Sequence, residues 1–373
     1  MARFLGFGNS STALNLSTYT MISSSCSGAA TTTSLSATGS FSAGQRLFIH
    51  QTTGTGAGQY EDNAVASYVA GTITTVLPLE YTYTDSGASQ AQVIVVPEAS
   101  SVTGTLTVPA WDGNVGGLFV VACSGTFAGE INAAGKGFRG GSGVTGARST
   151  GKNGEGYQGT NYNAAPGSAG VTNAGTGGGG AHNNNADAGS GGGGGGHASS
   201  GTAGVTGHTT NGSGAGGPGG TVGGAELTSL FMGGGGGSGS SAYNTDSGKY
   251  SGTGGTGGGI VVVYAKAFSV LAKIWLSGAR GGDVISGGGF SGGGGGGAAG
   301  SGLIKSITAV IGSSLITADG GSYGLDFQGG MRGGVGGVGR VRIEACSLSG
   351  TTSPTASTVV GGYDFCNSLA YVY

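Results

Sequence analysis

The chain has 373 residues, 92 of them glycine, and its 14 Lys and Arg against 16 Asp and Glu leave a net charge of −2. Charged residues make up only 8%, so there is no basic stripe for nucleic acid, and six prolines with irregular glycine spacing exclude a collagen repeat. The apolar runs, such as IVVVYA at 260–265, fall far short of the about 20 residues a membrane-spanning helix needs.

The opening stretch MARFLGFGNSSTALNLSTYT carries no apolar core of signal-peptide length, so no cleaved secretory signal is expected. From there to about residue 130 the pattern is β. LFI at 47–49, GTITTVLPLEYTY, AQVIVVPE, TGTLTVPAW and GLFVVACSG are rich in β-branched residues and bounded by Gly, Pro, Asp and Ser. No stripe of helical period exceeds two turns, so helix should be nearly absent. The expected fold class is all-β, with an N-terminal β domain over 1–130, a glycine-rich body of short strands and polyglycine-II helices over 131–345, and a C-terminal segment over 346–373. Glycine marks these zones, with 16 in 1–130, 73 in 131–340 and 3 in 341–373.

Inside the body a glycine-led apolar strand recurs as GGLFVVAC (116–123), GGIVVVYA (258–265) and VGRVRIEA (338–345). A strand running into glycines recurs as INAAGKGFRGG (131–141), IWLSGARGG (274–282) and LITADGGSYG (315–324). Such repetition signals a stacked architecture. Between the copies lie glycine runs at 177–180, 191–196, 233–237, 257–259, 292–297 and 333–337. These runs are either flexible linker or a bundle of polyproline-II-type chains. That helix has three residues per turn and no internal hydrogen bonds, so every N–H and C=O points sideways to a neighbour. Without Cβ, the backbones can approach closely. Ordering costs about 1–2 kcal/mol per residue, and an inter-chain hydrogen bond returns about 0.5–1.5. The apolar strands must therefore supply the balance. Their recurrence between the runs favours the packed bundle.

The segments joining the runs differ in kind. KNGEGYQGTNYNAAPG carries Tyr157 and Tyr162. AHNNNADAGS carries His182, Asn183, Asn184, Asn185 and Asp187. HASSGTAGVTGHTTNGSG carries His197 and His208, and SGSSAYNTDSGKYSGT carries Tyr243, Asn244, Asp246, Lys249 and Tyr250. Tyr, Ser, Gly and Asn are the composition of recognition loops, and loops on a rigid scaffold are where binding concentrates. These residues are the candidate receptor-binding set. The plainer reading makes them soluble connectors.

Glycine runs alternating with Asn/Tyr/Ser/His-rich segments resemble the distal tail-fibre adhesins of T-even-type bacteriophages, over roughly 131–340. The resemblance implies polyglycine-II helices whose intervening loops contact a host outer-membrane protein or saccharide. It implies a non-enzymatic virion-surface adhesin, acting outside the cell. Its partners would be a host cell-surface receptor and, through the N-terminal domain, other virion proteins. A homo-oligomer is left open, and no membrane insertion is expected. GGIVVVYA and VGRVRIEA are longer and more apolar than that pattern, so only the architecture and general role carry over. The alternative is a self-assembling filament, sheath or decoration protein, with Tyr363, Phe365, Tyr371 and Tyr373 packing on a neighbour.

No catalytic, metal or cofactor site is expected. GTGGTG at 252–257 is a chance glycine string without the strand–helix context of a dinucleotide fingerprint. His182, His197, His208 and Asp187 lack metal-ligand spacing. Arg280, Arg332, Arg340 and Arg342 fall near the repeated strands, and Arg340 and Arg342 alternate onto one strand face, which is expected to be solvated, with contact to an acidic glycan as the alternative. Cys26, Cys123, Cys346 and Cys366 are expected to be buried thiols, with a Cys346–Cys366 bridge left open.

Overall fold

The computed structural model describes residues 4–366 apart from 147–148, 160–161, 164–174, 181–188, 207–213, 242–250, 285–290, 327–329 and 362–365. It is 37% strand and 1% helical, the all-β class expected. Strand β1 (Ala13–Asn15) and a 3-10 turn (Leu16–Thr18) lead into six antiparallel strands. These are β2 (Ser23–Ser27), β3 (Ser34–Ala37), β4 (Arg46–Thr53), β5 (Tyr60–Val69), β6 (Thr72–Thr75) and β7 (Gln90–Val95), closed as a barrel in the order β2-β3-β6-β5-β4-β7. Alternation sets its two sides. Leu47, Ile49, Ala91 and Val93 fill the barrel, while Phe48 and Ile94 point outward into a second core.

The remaining strands are all parallel. They are β8 (Glu98–Thr103), β9 (Thr105–Thr107), β10 (Leu118–Phe127), β11 (Glu130–Asn132), β12 (Ile260–Phe268), β13 (Lys273–Trp275), β14 (Ser301–Thr317), β15 (Arg340–Ser353) and β16 (Ser357–Val360). Strands β8-β10-β12-β14-β15-β16 pair side by side, as do β9-β11-β13 with the far half of β14. Each of β8/β9, β10/β11 and β12/β13 is therefore one rung bent at a corner, and β14 and β15 are unbroken rungs. The register stacks like on like: Val121, Val263, Ile304 and Ile343 form one ladder, and Leu106, Ile131, Ile274 and Ile316 another. Phe127 stacks on Phe268 with ring centroids 5.4 Å apart.

LFVVAC and IVVVYA are continuous apolar runs because both of their faces are buried. Phe119, Val121 and Cys123 face the core shared by the two halves of the rungs. Leu118, Val120 and Ala122 face the barrel, against Phe48, Tyr60 and Ile94. The repeat read from sequence is thus a stack of rungs. The sequence pattern marks only the far end of β14, LIT at 315–317, as a strand, because its first half, SGLIKS, lacks the glycine-led apolar run of LFVVAC and IVVVYA.

Between rungs the chain runs through a lattice of extended glycine strands. Residues 191–196 show its rule. The N–H groups of Gly191 and Gly194 donate to Val205 and Thr202, those of Gly192 and Gly195 to Gly293 and Gly296, and those of Gly193 and Gly196 to Gly178 and Gly175. Three neighbours are visited in turn with a period of three, as a threefold helix requires. Carbonyls of the same run accept from Gly216, Gly334 and Gly237, so six chains surround this one. A Cβ at Gly191, Gly193 or Gly194 would overlap the carbonyl oxygen of Arg332, Gly217 or Val335. Residues 292–297 repeat the pattern. Uninterrupted glycine therefore marks interior strands. Surface strands read Gly-Gly-x: in GGVGGV at 333–338, Val335 is exposed and the glycines face inward.

Three expectations need correction. Glycine content placed a boundary at 130, yet β8–β11 belong to the parallel rungs, and the barrel alone is the separate β unit. Arg342 is not solvated: it is buried, with Nη1 2.6 Å from Glu226 and Nε 2.9 Å from Glu344. Cys346 and Cys366 are disulfide-bonded, while Cys26 and Cys123 are buried thiols.

Candidate functional site

Every lattice strand runs between two levels. At one level, the base, strands pass directly into rungs: 251–259 into β12, 291–300 into β14 and 331–339 into β15. The barrel also meets this level. The His50 Nε2–H donates to the Leu230 carbonyl at 3.0 Å, the Tyr60 hydroxyl to Leu227 at 3.0 Å, and Gly54 N–H to Tyr157 at 2.7 Å.

At the opposite, distal level the strand ends are laced together. Ser240 N–H donates to Ser190, Gly292 to Ser240, Gly252 to Gly292, Gly191 to Val205, and Gly333 to Gly324. Serine hydroxyls replace missing neighbours here. Ser190, Ser149, Lys152 and Val144 donate their N–H groups to the hydroxyls of Ser240, Ser241, Ser238 and Ser251 at 2.7–3.0 Å. This is the physical reason for SGSS at 238–241. The strands flanking 181–188, 207–213, 242–250, 285–290 and 327–329 all terminate at this level. On its rim, Arg280 forms a two-bonded pair with Asp283 (2.8 and 2.6 Å), and Asp283 accepts from Leu325 N–H at 2.7 Å. The Arg332 guanidinium lies 5.0 Å from the Tyr323 ring centroid. A shallow recess of about 520 Å³ is lined by Val144, Thr145, Ser149, Thr150 and Lys152, beside the strand ends at 238–241 and 251.

The candidate residues divide. His182, Asn183, Asn184, Asn185, Asp187, His208, Tyr243, Asn244, Asp246, Lys249 and Tyr250 lie outside the described residues. The strands that carry them meet at the distal level. Tyr157, Tyr162 and His197 do not join this set. Tyr157 packs edge-on against Phe231 at 5.4 Å, at the barrel junction. Tyr162 lies under Arg139 at 4.3 Å, and Arg139 is held by Glu155 through two 2.9 Å bonds.

His197 is fully buried at the base, with Nδ1–H donating to Ala299 at 2.8 Å. Burial, and secondarily the Arg340 charge, push its pKa down to about 4. His197 is a scaffold residue, since the lattice buries its ring and engages its nitrogens, whereas Tyr157 and Tyr162 are half-buried and spend one ring face each on Phe231 and Arg139. Sequence composition gave no sign of the distal rim residues Asp283 and Tyr323, and Arg280 stood out only as a cation near a repeated strand. A signal was available in the three-residue spacing of 277, 280 and 283 outward from the glycines.

No family model matches the chain, and no curated protein or solved structure matches it either. Among the described residues no helix is long and apolar enough to cross a membrane.

Proposed function

We propose that this protein is a non-enzymatic surface adhesin that recognises a host cell-surface receptor through the segments joined at the distal level. The observation that carries this reading is that the strands flanking the Asn/Tyr/Ser/His-rich segments all end at one level of a lattice whose interior is immobilised by backbone hydrogen bonds. Recognition is served by adaptable polar segments on a rigid support, because little ordering cost remains at binding. The Cys346–Cys366 bridge supports an oxidising, extracellular setting. In this reading the barrel, which meets the base of the lattice, joins the adhesin to a larger virion assembly.

The test is replacement of 181–188 and 242–250 by Gly-Ser segments of equal length, followed by binding to whole bacterial cells. Cell binding should fall at least tenfold while thermal unfolding is unchanged. Undiminished binding by a folded double replacement would count against the distal site.

A further inference from the structure

Two arginines leave β15 on the same face, and the chain treats them differently. Arg342 is neutralised by Glu226 and Glu344, and Glu344 also holds Lys305 at 3.2 Å. Arg340 touches no carboxylate among the described residues. Its Nε donates to the Val222 carbonyl at 3.2 Å and its Nη2 to the Gly223 carbonyl at 2.9 Å. Carbonyls aim a guanidinium without cancelling its charge. Nη1 makes no hydrogen bond among the described residues, and Arg340 lines a notch of about 230 Å³ at the base of the lattice. Ala198, Val338 and Pro354 give this notch apolar walls, and Thr355 and Ser357 line it with hydroxyls.

We propose that this notch binds the carboxylate of a one-ring acidic saccharide, with Arg340 recognising the anion. Guanidinium matches a planar carboxylate through paired hydrogen bonds. Apolar walls on one side and hydroxyls on another suit the two characters of a sugar ring. The volume lies below the about 300–1,000 Å³ of ordinary ligand pockets, which restricts the ligand to a single ring. Burial lowers the Arg340 pKa and no anion offsets that cost. A bound carboxylate would supply the missing countercharge. The site stands apart from the distal segments, so its failure would leave the adhesin reading untouched.

The test is calorimetric titration of the full chain at low salt with glucuronate, glucose and inorganic phosphate, for wild type, Arg340→Gln and Thr355→Trp. Glucuronate should saturate, glucose should not, and Arg340→Gln should weaken glucuronate by about tenfold or more. Thr355→Trp fills the rim and should also abolish binding. Equal binding of glucose, binding of phosphate alone, no saturation by glucuronate, or undiminished affinity in a folded Arg340→Gln would each overturn the proposal. Should Arg340→Gln misfold on losing its bonds to Val222 and Gly223, the Thr355→Trp chain decides. Unchanged glucuronate affinity there overturns the proposal as well.

Discussion

At Gly194 the missing side chain is the structural requirement. A Cβ there would overlap the Val335 carbonyl, which belongs to backbone and cannot swing aside. Gly194→Ala should therefore destabilise the chain by about 3 kcal/mol or more, whereas Val335→Ala, on the exposed third position of its strand, should stay within about 0.5 kcal/mol. Urea denaturation of the two variants checks the contrast. This much of the lattice was legible in the sequence, because uninterrupted glycine and Gly-Gly-x are different patterns. His197 was not read correctly because HASS has the composition of a loop. Its N–H bonds Ser199, continuing the phase of Gly191 and Gly194, so it is the last residue of a lattice strand. Phase, more than composition, was the informative signal.

At the scale of the element, lattice strands and rungs differ in what holds their register. A rung is fixed by the alternation of its side chains between two cores, since slipping β12 by one residue would turn Val263 from one core to the other. An all-glycine strand has screw symmetry, so each of its sites is equivalent to the next. One glycine inserted within 292–297 should be absorbed by sliding the surplus toward 285–290, at a cost below about 1 kcal/mol. One glycine inserted between Gly337 and Val338 is different. It moves Val335 onto the site of Gly334, where a Cβ would overlap the Thr202 carbonyl. That variant should lose about 3 kcal/mol or more, and inserting three glycines should restore most of it. Thermal unfolding of the three insertions reads the outcome. The rungs were legible as repeats, except where β14 departs from the apolar pattern. The corners were not, because Gly104, Gly129 and their neighbours look like any other turn in a chain this rich in glycine.

At the scale of the whole molecule, two buried histidines lie at the base, His50 where the barrel meets Leu230 and His197 where a lattice strand meets β14. His50 and His197 both have pKa values lowered to about 4, chiefly by burial. The unfolded chain titrates near the ordinary value of about 6.5, so it takes up protons first as the pH falls. Stability should be complete above about pH 6.5 and decline between there and about pH 4, by roughly 3 kcal/mol for each histidine. Denaturation midpoints across that window, compared with the His50→Gln, His197→Gln double variant, check this. The double variant should show a flatter profile. The boundary between the two units was hidden in the sequence because the first two rungs precede the glycine-rich zone, so glycine content and architecture change at different points.

The lattice strands run from the base to the distal level, and their hydrogen bonds lie across that direction. Under the proposed function, a tensile load between a receptor at the distal end and an anchor at the barrel would act along the strands. It would shear many lateral bonds at once, where pulling sideways would peel them singly. Forced unfolding is governed by the unfolding barrier, and shear spreads that barrier over the whole lattice. The glycine core would then serve as a tether whose strength is greatest along the axis in which an attached particle pulls.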